Sequence, residues 1–247
     1  MRIPSRLVAT VAAGSLVAGL TGCAIDITTT GSGIDGSGDI ATQTYEPTGF
    51  ATVALLGEGA VSIVFGELPR VSVTTDDNLL EHIEVRSDGA TLFLGTEDGV
   101  DIDPTNGVEW IVTTPSLAAV SLQGAGDIAV PPLSIEVFEA TLSGAGSIRL
   151  TDIVAEDLEI VLTGAGEISA TGSADRLSVR IPGAGDYEGL ELVSRIATVD
   201  VSGAGDARVH ATESLDADVS GAGSVRYAGG ASVTPRVTGV GSIEPVD

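Results

Sequence analysis

The chain has 247 residues, 43% of them hydrophobic but only 3% aromatic, and sets 35 acidic side chains against 11 arginines with no lysine, a net charge of −24. That balance excludes recognition of nucleic acid or of anionic lipid headgroups, and leaves cations, basic proteins and cationic polymers as charged partners. Cys23 is the single cysteine, so no disulfide framework exists and an apolar core has to hold the fold.

Residues 1–22 read as a secretory signal: Arg2 and Arg6 stand ahead of the apolar run LVATVAAGSLVAGL, which ends in small residues. At 14 residues the run is too short to cross a bilayer as a helix, which takes about 20. Leu20, Thr21, Gly22 and Cys23 resemble the bacterial lipobox. The resemblance implies cleavage between Gly22 and Cys23, acylation of the Cys23 thiol and attachment of an exported protein to the envelope membrane, since two or more acyl chains hold stably. Once Arg2 and Arg6 are gone, 9 arginines face 35 acidic residues and the net charge is −26. Residues 23–47 have the Gly, Ser, Thr and Asp composition of a flexible tether. Their GSG triplets leave open one degenerate coil with Ile34 and Ile40 on its inner face.

Residues 48–247 read as the folded part, irregular over 48–116 and regular over 117–247. Val53, Leu55, Val61 and Ile63 flank Gly57 and Gly59 in the phase of an eroded coil. RVSVTT predicts a strand, and TDDNLLEHI a short helix capped by Thr75 or Asp76 and ended by His82. IEVRSDGATLFLG predicts a hairpin turning at Asp88 and Gly89, and the segment from Gly99 to Gly107 a loop. Trp110, in VEWIVTTP, reads as packed strand rather than as a ligand platform.

From Leu117 one motif returns seven times, with first glycines at 124, 144, 164, 183, 203, 221 and 239, a period of 18 to 20 residues. Two residues before them stand Leu122, Leu142, Leu162, Ile181, Val201, Val219 and Val237; four after stand Ile128, Ile148, Ile168, Tyr187, Ala207, Val225 and Ile243. Small or polar residues fill the positions between. This period-2 pattern predicts strands with one buried face, and a period near 20 predicts a right-handed parallel β-solenoid of stacked coils. A lone coil cannot bury its apolar face; stacking supplies the ladder that does. The two glycines of each GAG fall in the inward phase. They imply either a sharp bend using angles open to glycine or a wall too close for a Cβ atom, and the bend is the preferred reading.

The order LGEGAVSIVFGE, SVTTDDNLLEHIEVRSDGATLFL, IVTTPSLAAVSLQGAGDI and then SGAG coils ending in VRYAGGASV resembles the GIN-domain family, the "putative auto-transporter adhesin head", over roughly Thr48 to Glu244. The resemblance implies an all-β solenoid on exported, often lipid-anchored bacterial proteins of undefined biochemical activity. No amphipathic membrane strands of the autotransporter kind are seen after the coils.

Three chemistries compete with a binding or structural role. Seven G-x-G motifs lack the third glycine and the helices of a dinucleotide site. The outward column Asp127, Ser147, Glu167, Asp186, Asp206, Ser224 and Ser242 offers oxygen ligands, and Asp186 and Asp206, one rung apart, are the candidate calcium pair. Arg149, Arg208 and Arg226 share a second outward column with Glu188 and Glu244, a place for a carbohydrate-active site but more simply a charge ladder. His82 and His210 fit no metal spacing, and Ser143, Ser202 and Ser220 have no histidine partner in any local motif and read as a hydrogen-bonding ladder. The reading is therefore an exported, lipid-anchored, non-enzymatic β-solenoid without cofactor, adhering to or organising the envelope through a protein or polysaccharide partner. A carbohydrate-active or calcium-binding β-helix is the alternative.

Overall fold

In the computed structural model, the described residues are 33–246. The Cys23 and Gly22 expectations lie outside them. The N-terminal part supplies β1 (Ile34–Asp35), β2 (Ile40–Tyr45), β3 (Thr52–Leu55), β4 (Glu58–Phe65) and β5 (Arg70–Asp76). The expected short helix forms as a six-residue 3-10 turn, Asp77–His82, and β6 (Ile83–Ser87), β7 (Thr91–Thr96), β8 (Ile102–Asp103) and β9 (Glu109–Thr114) follow. The repeats form β10 (Ala119–Leu122), β11 (Ala125–Val130), β12 (Leu133–Leu142), β13 (Ser147–Leu162) and β14 (Glu167–Ile181). They end with β15 (Asp186–Val201), β16 (Ala207–Val219), β17 (Ser224–Ala228), β18 (Ser232–Val237) and β19 (Ser242–Pro245).

From β10 onward each coil pairs in parallel with the next, in the register that the glycines predict. Leu122 lies over Leu142 and Leu142 over Leu162; Ile181, Val201, Val219 and Val237 continue the ladder. All of these except Val237 are fully buried. Each such side chain contributes about 1.5–3 kcal/mol through removal from water. Tyr187 takes an isoleucine place between Ile168 and Ala207, and Gly189 makes room for its ring, since a Cβ there would stand 2.5 Å from the ring edge. Its hydroxyl is buried with no hydrogen-bond partner, and burial, then the nearby Glu188, push its pKa up.

The glycine columns correct the preferred reading of the sequence. The chain does bend at each GAG, but the repeat glycines avoid the left-handed region, Gly146 at φ 159° being nearly extended. Instead the missing Cβ would run along the stack into the preceding coil. Built on Gly144 it would overlap the carbonyl oxygen of Gly124, on Gly164 that of Gly144, and on Gly223 that of Gly205. The close neighbour is the coil beneath, not an opposite wall.

At the N-terminal end chain order and stack order part company. The β3–β4 coil lies between β10–β11 on one side and β7 and β9 on the other, all in parallel. It can do so because it carries the repeat grammar: Val53 pairs with Val120, Leu55 with Leu122, and Gly59 with Gly126. Trp110 fills the column under Val61, and β5 and β6 then close the stack by pairing antiparallel with β9 and β7. The hairpin turns at Asp88 and Gly89 as expected, with Gly89 at φ 82°.

Part of the stretch read as tether belongs to this cap rather than to a coil. Strand β2 runs antiparallel to β5, and β1 pairs with β8 in the segment read as loop. Buried Asp76 fastens the two: it accepts from the amides of Gly38 at 2.7 Å and Asn106 at 3.3 Å and from the Asn106 side chain at 3.0 Å. It stands at the cap position of the 3-10 turn but makes no side-chain bond to it.

The C-terminal end has no such closure among the described residues. Thr238 donates its amide to Val219 and Val246 to Tyr227, so by alternation Val233, Pro235, Val237, Ile243 and Pro245 turn their backbone to the open edge. Two of these are prolines, which have no amide hydrogen to offer a further strand.

Candidate functional site

Stacking converts each sequence column into a line of side chains along the solenoid, and the hydrogen bonds show what each line does. In the acidic column Asp127, Asp186 and Asp206 bond to the next rung. Asp127 accepts from the Ser147 hydroxyl at 2.5 Å, Asp186 from the amide of Asp206 at 2.9 Å, and Asp206 from the amide and hydroxyl of Ser224 at 2.8 and 2.7 Å. Asp186 and Asp206 are thus neighbours as expected, and one oxygen of each is already engaged. Among the described residues no group of three or more His, Cys, Asp or Glu is arranged to hold a metal ion.

The arginine column is a charge ladder. Arg149 lies over Ser169, then Glu188, Arg208, Arg226 and Glu244 follow in register, and Arg208 pairs with Glu188 at 2.6 Å. The Glu188 hydrogen bond and charge raise the Arg208 pKa. His82 ends the 3-10 turn beside Glu97 at 3.7 Å, whereas His210 sits in β16 with Nδ1 3.3 Å from the Leu190 carbonyl; the two share no site. Trp110 is buried, and its indole nitrogen donates to the Glu58 carbonyl at 3.4 Å. At Ser143, Ser202 and Ser220 it is the backbone amide that bonds to the coil beneath.

One concavity lies where no sequence column marks it. On the side of the coils away from the GAG bends, the register slips between Leu150 and Ile153, between Ser169 and Gly172, and again between Gly189 and Val193. Asp152 at φ 48° and Gly172 at φ 120° turn this corner. Beside it a groove of 770 Å³ crosses β12 to β16. Ile135, Ala155 and Ala174 stack in register along its middle, and the row continues into buried Ser194. Ser134, Val154, Ser173 and Val193 form one side, with Val154 and Val193 50% and 42% exposed. Glu136, Glu156, Asp175, Arg195 and Glu213 form the other. Arg195 stands 3.7 Å from Asp175 and 2.7 Å from Glu213, contacts that raise its pKa. Among the described residues no cation forms an ion pair with Glu136 or Glu156. A second hollow, of 470 Å³ and lined by Phe65, Leu117, Pro132 and Leu133, shares Ser134 and Ile135 with the groove and extends its apolar surface toward β4.

A third hollow, of 480 Å³ around Val137, is the counterexample. Its carboxylates are matched one to one, Asp157 by Arg176 with a bond of 2.6 Å and Glu159 by Arg180. The Arg176 hydrogen bond holds the Asp157 carboxyl below its usual range, burial opposing.

Glu58 also escaped the sequence reading. Its Oε1 is buried with no hydrogen-bond partner, and burial, then the charge of Asp103, raise its pKa. The signal was present: Glu58 pairs with Ala125, the alanine of the first regular GAG.

The fold matches solved structures. A putative adhesin from Bacteroides fragilis superposes with a TM-score of 0.82 at 24% identity, covering 87% of this chain and 100% of its own. A putative lipid binding protein from Parabacteroides distasonis gives 0.72 at 23%, covering 87% and 99%. A putative adhesin from Parabacteroides merdae gives 0.67 at 20%, with the same coverage. No curated protein matches the sequence. At these identities the likeness is one of fold. The family model described as "Putative auto-transporter adhesin, head GIN domain" matches residues 49–231, most of the folded body, and the chain belongs to that family.

Proposed function

We propose that the protein is an exported adhesin of the cell envelope, anchored through acylated Cys23, with no catalytic activity of its own, whose coils hold a rigid binding face away from the membrane. The observation that carries this is the groove across β12 to β16. In the neighbouring hollow Asp157 and Glu159 are paired with Arg176 and Arg180 of the next rung, whereas here half-exposed valines stand beside Glu136 and Glu156, which form no ion pair among the described residues. Membership of a family described as adhesin heads supports the same reading, and the apolar run ahead of Cys23 supports export.

Fractionation of cells producing the full chain tests the anchor. Cys23→Ser is expected to move the protein from the membrane to the soluble fraction, and a variant that stays wholly with the membrane overturns the anchor. Adhesion is tested by retention of the protein on intact envelopes, and no retention above an equally acidic unrelated protein overturns it.

A further inference from the structure

We propose that the groove across β12 to β16 binds a basic polypeptide segment lying extended along the stack, with lysines or arginines on the acidic side and apolar side chains on the valine side. The inference rests on the adhesion reading and names the partner's chemistry.

Charge selects the sign of that partner. Glu136, Glu156, Asp175 and Glu213 against Arg195 leave the groove three charges negative on a chain already at −24. An anionic chain or headgroup would be repelled. The neighbouring hollow shows that this sheet neutralises its carboxylates when it has arginines to do so, as Asp157 and Glu159 do with Arg176 and Arg180. In the groove a single arginine pairs with Asp175 and Glu213, Arg176 beside it is bonded to Asp157 although its charge reaches Glu156, and Glu136 and Glu156 form no ion pair among the described residues.

Shape selects a linear partner over a point ion. The acidic residues come from successive rungs, spaced by about 4.8 Å, so the negative charge is spread along a line of about 19 Å rather than gathered at a point. An extended peptide of about six residues spans that length. The facing valines, half exposed, give apolar side chains of the same peptide a place to lose water, which a purely hydrophilic polycation would not use. With Trp110 buried, the groove also lacks the aromatic platform that a sugar would stack on.

The test is titration of the folded protein with a labelled peptide of about eight residues alternating lysine and valine, followed by fluorescence anisotropy at physiological salt. The variant E136Q/E156Q/D175N is expected to weaken binding about tenfold or more. D98N/E109Q/E244Q, which removes the same charge elsewhere, is expected to leave it within about twofold. V154S/V193S is expected to weaken it about threefold or more. The proposal is overturned if the two acidic triple variants bind alike, or if a lysine and serine peptide binds as tightly as the valine one. Retention on intact envelopes separates the two readings. Retention by the wild type that E136Q/E156Q/D175N keeps undiminished leaves adhesion standing and refutes the groove. Peptide binding without retention supports the groove and refutes adhesion.

Discussion

The coils bend at the GAG corner and, from β12 to β16, again at the corner beside the groove, and the two corners differ in how regularly close backbone contact recurs. At the GAG corner one backbone rests on another, so a Cβ on Gly144 or Gly164 would overlap the carbonyl of the coil beneath and the motif repeats with little change. At the groove corner the register slips, side chains differ from rung to rung, and Asp152 and Gly172 answer the same turn in two ways. Close backbone contact on every rung admits one residue type, whereas a corner where such contact falls on some rungs only, as at Gly172, tolerates variation and leaves room for a binding surface.

The sharpest way to break the comparison is to load the first corner. Gly164→Val is expected to cost more than about 3 kcal/mol or to abolish folding, because the Gly144 carbonyl cannot move without shifting its whole rung. Exposed Ala165, one position on, should accept Val within about 0.5 kcal/mol, as Val240 does in the last coil. Thermal melts of the two variants decide it, and comparable midpoints would contradict the stacking of backbone on backbone.

Loading the second corner should matter less and act locally. A Cβ at Gly172 would overlap the Ile153 carbonyl, and φ 120° is strained for any other residue, so Gly172→Ala is expected to cost about 1–3 kcal/mol. Because the register already slips here, hydrogen exchange should rise at Ile153 and its neighbours while the GAG amides stay protected.

The smallest expected effect lies at the capped end, where a side chain rather than backbone contact holds the chain. Burial would raise the Asp76 pKa, but amide donors from Gly38, Asn106 and Thr105 outweigh it and hold the carboxyl below its usual range. A depressed folded value means the latch contributes above the unfolded pKa of about 3.9 and is lost as pH falls through the folded value. Below about pH 4, exchange of the β1 and β2 amides should therefore quicken before the stack melts. Equal protection of β2 and β14 under acid would show that the latch carries no share of the cap.

The two ends extend the same lesson. One is sealed by antiparallel strands and a buried carboxylate; the other relies on Pro235 and Pro245, which withhold amide donors from the open edge. Unpaired solenoid edges are thus handled by covering in one case and by removing the hydrogen bond in the other.

How much of this was legible follows from range. Leu122, Leu142 and Leu162, the seven glycine pairs and the Asp88 turn announce themselves because period-2 burial and turn chemistry act over a few residues. The place of β3–β4 was not legible, because Val53 and Leu55 match two different neighbours equally well and only the assembled stack chooses. Strand β2 read as tether because IATQTY has few apolar residues, and what fixes it is its ladder with β5. Nor was the groove legible: Glu136, Glu156 and Asp175 come from three coils whose alignment passes through register slips that the period does not contain.

By itself the sequence determined that the chain stacks, which residues face inward, and where no side chain can stand, since an aliphatic ladder interrupted by glycines has one way to bury itself. Tertiary structure alone decided the order of the first coils, the closing of one end, and the acidic groove. Each of these arises from contacts between residues tens of positions apart, whose joining depends on how the whole stack packs.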